Sequence, residues 1–329
     1  MDTNPPSEPA PLRIPSGSGR RISPGSPGIH ERRQSETCSS VKKRRAWHTL
    51  SDDEKRAYLD AEVCLMNTPS TSDLRGSKSK FDDFQAIHVL QSEIAHFVGQ
   101  FLPFHRLFVY AHEQALEAEC GYTEGQPYWA EEVDAGAFSK SVIFDADLGF
   151  GGDGAPDTQC IQDGPFADYM NPLGPGYTIE DHCIQRQISD RASNSAQESV
   201  LENCRNKTTF MEFWPCIEGG PHGAGHGGVG AQEGDPETRH AEIGGNNEAT
   251  GFFGAPQTPG GGGFTPPFGG GFGGGMPGFA RPDDVPAPEI IGDPGNETTL
   301  THLLEMYGVV EDRTIAEVMD IAELCYEYD

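Results

Sequence analysis

The 329-residue chain is predicted to be mainly α-helical, with long irregular loops and a disordered N-terminal tail. Three observations predict this. Three segments between residues 51 and 119 repeat apolar side chains at helical spacing. The stretch from "GYTEGQPYW" to Cys216 is rich in turn residues, with few periodic runs and four of the cysteines. Two compositional outliers, residues 1–37 and 254–288, hold much of the Gly and Pro and account for a hydrophobic fraction of only 35%.

In order along the chain, residues 1–37 are Pro/Ser/Gly/Arg-rich and cannot bury a core, so they are expected to be disordered. Order is expected from "TLSDDEKRAYLDAEVCL". Ser51 and Glu54 form a capping box, and Tyr58, Leu59, Val63 and Leu65 supply an apolar stripe. "PSTSDLRGSKS" breaks this helix. A second helix is predicted over Phe81–Ile94, with Phe84, Ile87 and Ile94 toward the core. A third is predicted from near His105 to about Glu119, burying Leu107, Phe108, Ala111, Ala115 and Leu116. Cys160, Cys183, Cys204 and Cys216 follow in loops that crosslinks would hold. Residues 254–288 read as a Gly/Pro-rich linker or surface loop. "TTLTHLLEMYGVV" and "TIAEVMDIAELCYEY" then resume apolar spacing and are expected to pack back on the body. The organisation is therefore 1–37 tail, 38–253 main domain, 254–288 linker and 289–329 C-terminal segment.

The net charge of −28 is unevenly placed. Residues 1–45 carry nine Lys/Arg against four Asp/Glu, and the remainder 14 against 47. Such an acidic body repels nucleic acid and anionic membranes, which excludes both as partners. "KKRR" at 42–45 reads as a solvated tail rather than a nuclear signal. No run of about 20 apolar residues exists, so no membrane span is expected. The first 30 residues lack the apolar centre of a signal peptide. Against that, eight cysteines suit a disulfide set, although eight allow 105 pairings. Asn206-Lys207-Thr208 and Asn296-Glu297-Thr298 are glycosylation acceptors. The compartment is thus left open by these signals.

The histidines carry the chemistry. In one continuous helix, eight residues advance about 12 Å, too far for His88 and His96 to share an ion bonded at about 2 Å. The same holds for His96 and His105 unless the chain folds back, which Gly99 and Pro103 permit. Helix, connecting loop and next helix would then each supply one ligand; otherwise the three are unrelated core or surface residues. In "GGPHGAGHGG", His222 and His226 are four apart, and on a helix they would form a two-histidine metal clamp. The neighbouring glycines each disfavour helix by about 1 kcal/mol, so a glycine-rich loop with two solvated histidines stands beside that reading.

"DDFQAIHVLQSEIAHFVGQFLPFHRLFVYAHEQAL" resembles the first copper-binding region of the tyrosinase family, especially short fungal tyrosinases and catechol oxidases. "ECGYTEGQPYW", "PHGAGHGG" and "VMDIAELCYEY" are also similar to that family, and the resemblance covers residues 38–245 and 297–328. It implies a tyrosinase-like helical bundle around a dinuclear (type 3) copper site. His88, His96 and His105 match the ligands of the first copper, and His222 and His226 match the first two ligands of the second. Imidazole suits copper in both oxidation states. The resemblance further implies dioxygen and a phenolic or catechol substrate as partners, an o-quinone product, and a secreted glycoprotein with disulfides.

The chain departs from the family's pattern in three places. The segment carrying the third histidine of the second copper is missing: "GGVGAQEGDP" passes straight to "ETRHAEIGGNN". His240 is the nearest remaining histidine and does not replace a whole helical wall. Two explanations compete, a truncated version of an active oxidase and a degenerate member with one good copper site. Ile94 stands where some relatives form a cysteine–histidine thioether, so no such crosslink is expected. Gly223 follows His222 where monophenol-competent relatives often place Asn, which favours catechol oxidation. His112 and His182 are read as packing or surface residues. A zinc enzyme built on His222 and His226 ranks last, because no Glu lies between them in the metalloprotease arrangement.

Overall fold

Helix α1 spans Asp52–Asn67, and its start follows from local chemistry. The Ser51 hydroxyl accepts the Glu54 N–H, while the Glu54 carboxylate accepts the Ser51 N–H at 2.7 Å. In this computed structural model, which describes residues 38–174, 176–230, 281–293 and 297–329, α1 buries Tyr58, Leu59, Leu65 and Met66. Val63, assigned to that stripe from sequence, is only partly buried. Helix α2 spans Lys80–Ala95 behind a second capping box, Ser79 with Asp82. It buries Phe84 and Ile87 as expected, with Ile94 at the margin.

Helix α3 runs over Phe101–Cys120, four residues longer at its start than the sequence reading. Pro103 was read as part of the break, but it sits in the first turn. There the N–H groups have no intrahelical partner to lose, so proline is tolerated. Gly121 ends the helix in the left-handed region, φ 70°. Its N–H meets Glu117 O at 3.0 Å and the Tyr122 N–H meets Leu116 O at 3.1 Å, the double bond of a glycine C-cap. The three helices pack around Tyr58, Phe84, Leu107 and Phe108. Phe84 and Phe108 meet edge to face at 5.7 Å.

The basic run 42–45 is not a solvated tail. Lys42–Arg44 forms strand β1, paired in parallel with the last strand of the chain, Tyr326–Tyr328. Cys38–Cys325 closes the same junction. Arg44 is 2% exposed: its guanidinium lies 3.6 Å over the Tyr326 ring, and its Nε donates to Glu113 of α3 at 2.9 Å. Burial with a paired carboxylate and two aromatic faces holds Arg44 in the fold, Lys42 pairs with Glu117 at 2.7 Å, and Lys43 stays exposed. The run 42–45 thus belongs to the folded body, ahead of the first expected helix.

Between α3 and the C-terminal segment lie the short helix α4 (Glu131–Asp134), an antiparallel hairpin of β2 (Met170–Leu173) and β3 (Ile179–Cys183), and helices α5 (Glu198–Arg205) and α6 (Phe210–Ile217). Cys160–Cys183 and Cys204–Cys216 crosslink this region, and Cys64–Cys120 ties α1 to α3. Helices α5 and α6 were not anticipated. Each has eight residues, too few to be stable on propensity alone. They hold because the Cys204–Cys216 bond joins them and Leu201, Trp214 and Ile217 form a small core with Phe101 and Leu102 of α3. The C-terminal segment does pack back on the body. Strands β4 (Leu303–Leu304) and β5 (Arg313–Thr314) pair, the short helix α8 covers Ile315–Val318, and Tyr326–Tyr328 is β6. Arg106 of α3 donates to Val318 O at 2.8 Å and Met319 O at 2.9 Å, fastening that segment to the helix that bears His105. The tail 1–37 and most of the linker, 254–280, lie outside the described residues.

Candidate metal centre

His88 projects from α2, His96 is the residue that ends α2, and His105 lies in the second turn of α3. The return of the chain is made by four residues. His96 is extended at φ −116° and ψ 146°. Phe97 takes φ 57°, and α3 restarts at Phe101. The fold-back brings the rings to 4.9 Å (His88–His96), 5.1 Å (His96–His105) and 5.6 Å (His88–His105) between centroids. Their ligating nitrogens all lie within 4.8 Å of one another. The three side chains are 4%, 8% and 1% exposed.

The tautomers are set by the backbone. His96 Nδ1 lies 3.1 Å from Ser92 O, and His105 Nδ1 lies 2.7 Å from Phe101 O. A carbonyl only accepts, so Nδ1 carries the proton in both rings and the lone pair lies on Nε2. The Nε2 atoms of all three histidines are buried. Three imidazoles converging in a buried space, two of them oriented by carbonyls, are a donor set that fits copper.

His222 and His226 realise the helical alternative. A π-turn, Glu218–His222, joins α6 to helix α7, Gly223–Val229, in one helical run. The two Nε2 atoms stand 2.9 Å apart, and His222 Nδ1 is held 3.1 Å from Glu218 O. Two of the glycines that argued against helix, Gly225 and Gly228, are required by packing. A Cβ on Gly225 would come to 2.5 Å from the Glu131 carboxylate, and one on Gly228 to 2.6 Å from the Phe138 ring. Helix propensity is outweighed by this close approach. The His222 ring lies 6.3 Å from His105, 6.5 Å from His96 and 4.8 Å from Phe101. All five sequence-derived site histidines are therefore brought to one place. His240 and the position of the missing segment, 230–237, fall in or beside residues 231–280, outside the described residues.

Two other histidines are not part of this cluster. His112 is a core residue, its Nε2 3.4 Å from Glu62 and its Nδ1 3.2 Å from Gln126 Oε1. Burial disfavours its charge most, but Glu62, with Gln126 and Glu113 behind it, outweighs this and raises its pKa. His182 sits on β3 with its Nδ1 2.9 Å from Glu180 O.

Three residues escaped the sequence reading. Glu218 is 4% exposed and its Oε1 accepts the Phe97 N–H at 2.6 Å, binding the loop of the first triad to the helix of the second pair. Its position four residues before His222 was the available signal. Glu131 of α4 is buried against Gly225, with no hydrogen-bond partner for Oε2. Burial, then the charges of Glu132 and Asp134, push its pKa well above the carboxylate range. Phe97 is the third.

Residues 78–252 match the family model for the common central domain of tyrosinase. A tyrosinase-like protein of Diaporthe leptostromiformis is 31% identical over 210 residues, covering 57% of this chain and 55% of that protein. Tyrosinase P of Aspergillus terreus is 26% identical over 272 residues, covering 68% and 72%. Among solved structures, a polyphenol oxidase variant of Thermothelomyces thermophila superposes with a TM-score of 0.67 at 24% identity, covering 88% of both chains, a likeness of fold. The chain spans about half the length of the first of these relatives.

Proposed function

Because the chain belongs to the tyrosinase family, we propose that it is a type 3 copper oxidoreductase that oxidises o-diphenols to o-quinones with dioxygen. The observation that carries the reading is the meeting of His88, His96 and His105 within 4.8 Å, faced by the His222–His226 pair. His88, His96 and His105 would hold the first copper, and His222 and His226 would contribute to a second. Copper supplies the redox chemistry: two catechols each give up two electrons and two protons, and one dioxygen becomes two waters. The chain's own part is orientation and exclusion. Ser92 O and Phe101 O keep Nδ1 protonated on His96 and His105. Phe101, Phe104 and Phe108 wall the triad with apolar rings and keep bulk water from it. Gly223 offers no side-chain amide beside His222, which supports a diphenol rather than a monophenol.

The eight cysteines form four pairs, which supports an oxidising, extracellular setting. Asn206, exposed at the end of α5, is the described acceptor for glycan. In this reading residues 38–253 are the copper domain, 254–288 a linker and 289–329 a segment that completes the domain.

A second reading is favoured by the ligand count, because the second pair has two histidines among the described residues and the family's third-histidine segment is missing from the sequence. It is a copper-binding protein with one complete site and little catalysis. A catechol assay with copper analysis separates the two. The chain as it stands is expected to bind about one copper firmly and to turn over slowly or not at all. Inserting a family-like segment with its histidine between Gly234 and Asp235 is expected to raise copper toward two and to restore quinone formation. Fast turnover by the uninserted chain would mean that another residue, His240 first, completes the site. No turnover by a folded, two-copper inserted chain would favour the non-enzymatic reading.

A further inference from the structure

The first triad is assembled from two helices and the turn between them, and one distant segment grips all three parts. Gln91 lies one helical turn beyond His88 on α2, and its Nε2 donates to the Tyr307 hydroxyl at 2.9 Å. Gln100 stands between His96 and His105, at the start of α3, and its Oε1 accepts the Thr298 hydroxyl at 2.6 Å. Thr298 also covers Gly99, where an added Cβ would come to 3.2 Å from its side chain. Arg106 directly follows His105 and donates to Val318 O and Met319 O. Gln91, Gln100 and Arg106 are 3%, 4% and 4% exposed. Three buried polar side chains, each beside a different histidine of the triad, thus bond to residues 298–319. The contacts span 216, 198 and 212 residues of sequence, so none is a by-product of local folding.

The backbone at one of these contacts is itself unusual. Tyr307 and Gly308 both take the left-handed region, φ 51° and 76°. That region disfavours a bulky side chain and persists where surrounding contacts over-determine it. At Tyr307 it accompanies a hydroxyl set on the residue one turn from His88. We propose that residues 298–319 form a three-point clamp that holds α2 and α3 at the spacing the triad needs for copper, with Tyr307 and Thr298 as positioning residues. This rests on the copper-binding reading of His88, His96 and His105. Metal–imidazole bonds of about 2 Å leave a donor little room to drift. Groups that fix the ligands' supports therefore act on how long the metal is kept, beyond what they add to the fold.

The full chain is loaded anaerobically with cuprous ion and mixed with excess bicinchoninate, and copper transfer is followed by the absorbance of the chelate. Thermal midpoints of the copper-free proteins are measured alongside. Tyr307→Phe and Thr298→Val each remove one hydroxyl. Each should release copper about 3- to 10-fold faster than wild type, less than the roughly 10- to 100-fold loss typical of a group bonded directly to a ligand. Thr298→Ser keeps the hydroxyl and should stay within about twofold of wild type. Ser51→Ala weakens the cap of α1, away from the segment, and supplies a comparable loss of midpoint. Its copper release should also stay within about twofold of wild type. Release unchanged in either hydroxyl variant, or speeded as much by Ser51→Ala at the same midpoint, would overturn the clamp while leaving the triad reading intact. A wild-type chain that binds no copper, or whose release is unaffected by His105→Ala, would overturn both.

Discussion

Replacing Glu131 by Gln reads out the electrostatics of the wall against which the His222–His226 helix packs. Glu131 is 7% exposed, and its Oε2 has no hydrogen-bond partner. Burial, followed by Glu132 and Asp134, raises its pKa well above the usual 4.5. The fold therefore favours the neutral acid, whereas the unfolded chain ionises near 4.5. Stability from this group is complete below that pH and is lost as pH rises, until the folded carboxyl itself ionises. Each pH unit costs about 1.4 kcal/mol, so by pH 7 the loss is capped at about 3 kcal/mol however high the folded value. Gln keeps the shape and abolishes the linkage, but it buries an amide in a site that satisfies one oxygen poorly, a cost of about 1 kcal/mol. Glu131→Gln should then be more stable than wild type by about 2 kcal/mol at pH 7, or about 4–8 °C in thermal midpoint. At pH 4, where the acid is neutral in both states, it should be less stable by about 1 kcal/mol. Thermal melts of both proteins at the two pH values check this. A difference that keeps the same sign and size from pH 4 to pH 7 would show that Glu131 is ionised in the fold and that the argument is wrong.

His105→Ala should remove most of the firmly bound copper, because it deletes one of three donors and the one most deeply buried; elemental analysis finding unchanged copper would reassign the first site. Glu62→Gln strips His112 of the carboxylate that holds its proton, at a cost of about 3 kcal/mol as for a broken buried pair. A raised histidine pKa stabilises fully below about 6.5 and fades as pH rises through the folded value, so the loss in midpoint should be larger at pH 5.5 than at pH 9. Opening Cys38–Cys325 with a double serine substitution should destabilise by about 2–5 kcal/mol, the range for a native crosslink. Urea melts measure this, and an unchanged midpoint would mean that β1, β6 and Arg44 close the junction unaided.

What the sequence determined was whatever local rules control. The capping box at Ser51 and the apolar stripes of α1 to α3 were legible because each depends on neighbours three and four residues away. His88, His96 and His105 were legible as a candidate set because a chain reversal at Gly99 and Pro103 was permitted, and the family resemblance chose among the possibilities that spacing left open. Tertiary structure decided the rest. Whether "PHGAGHGG" is helix or loop was undetermined locally, since four glycines oppose helix; the wall of Glu131 and Phe138, about 90 residues away in sequence, needs two of them, Gly225 and Gly228, and settles it. The basic run 42–45 looked like a tail because its partners, Glu113 and Tyr326, lie 69 and some 280 residues on. Glu218 and Phe97 carry no motif, and they acquire meaning only from a 2.6 Å contact between residues 121 apart. Helical order is written in short-range spacing, but the reach of a buried charge or the tolerance for a missing side chain depends on which distant segment arrives beside it.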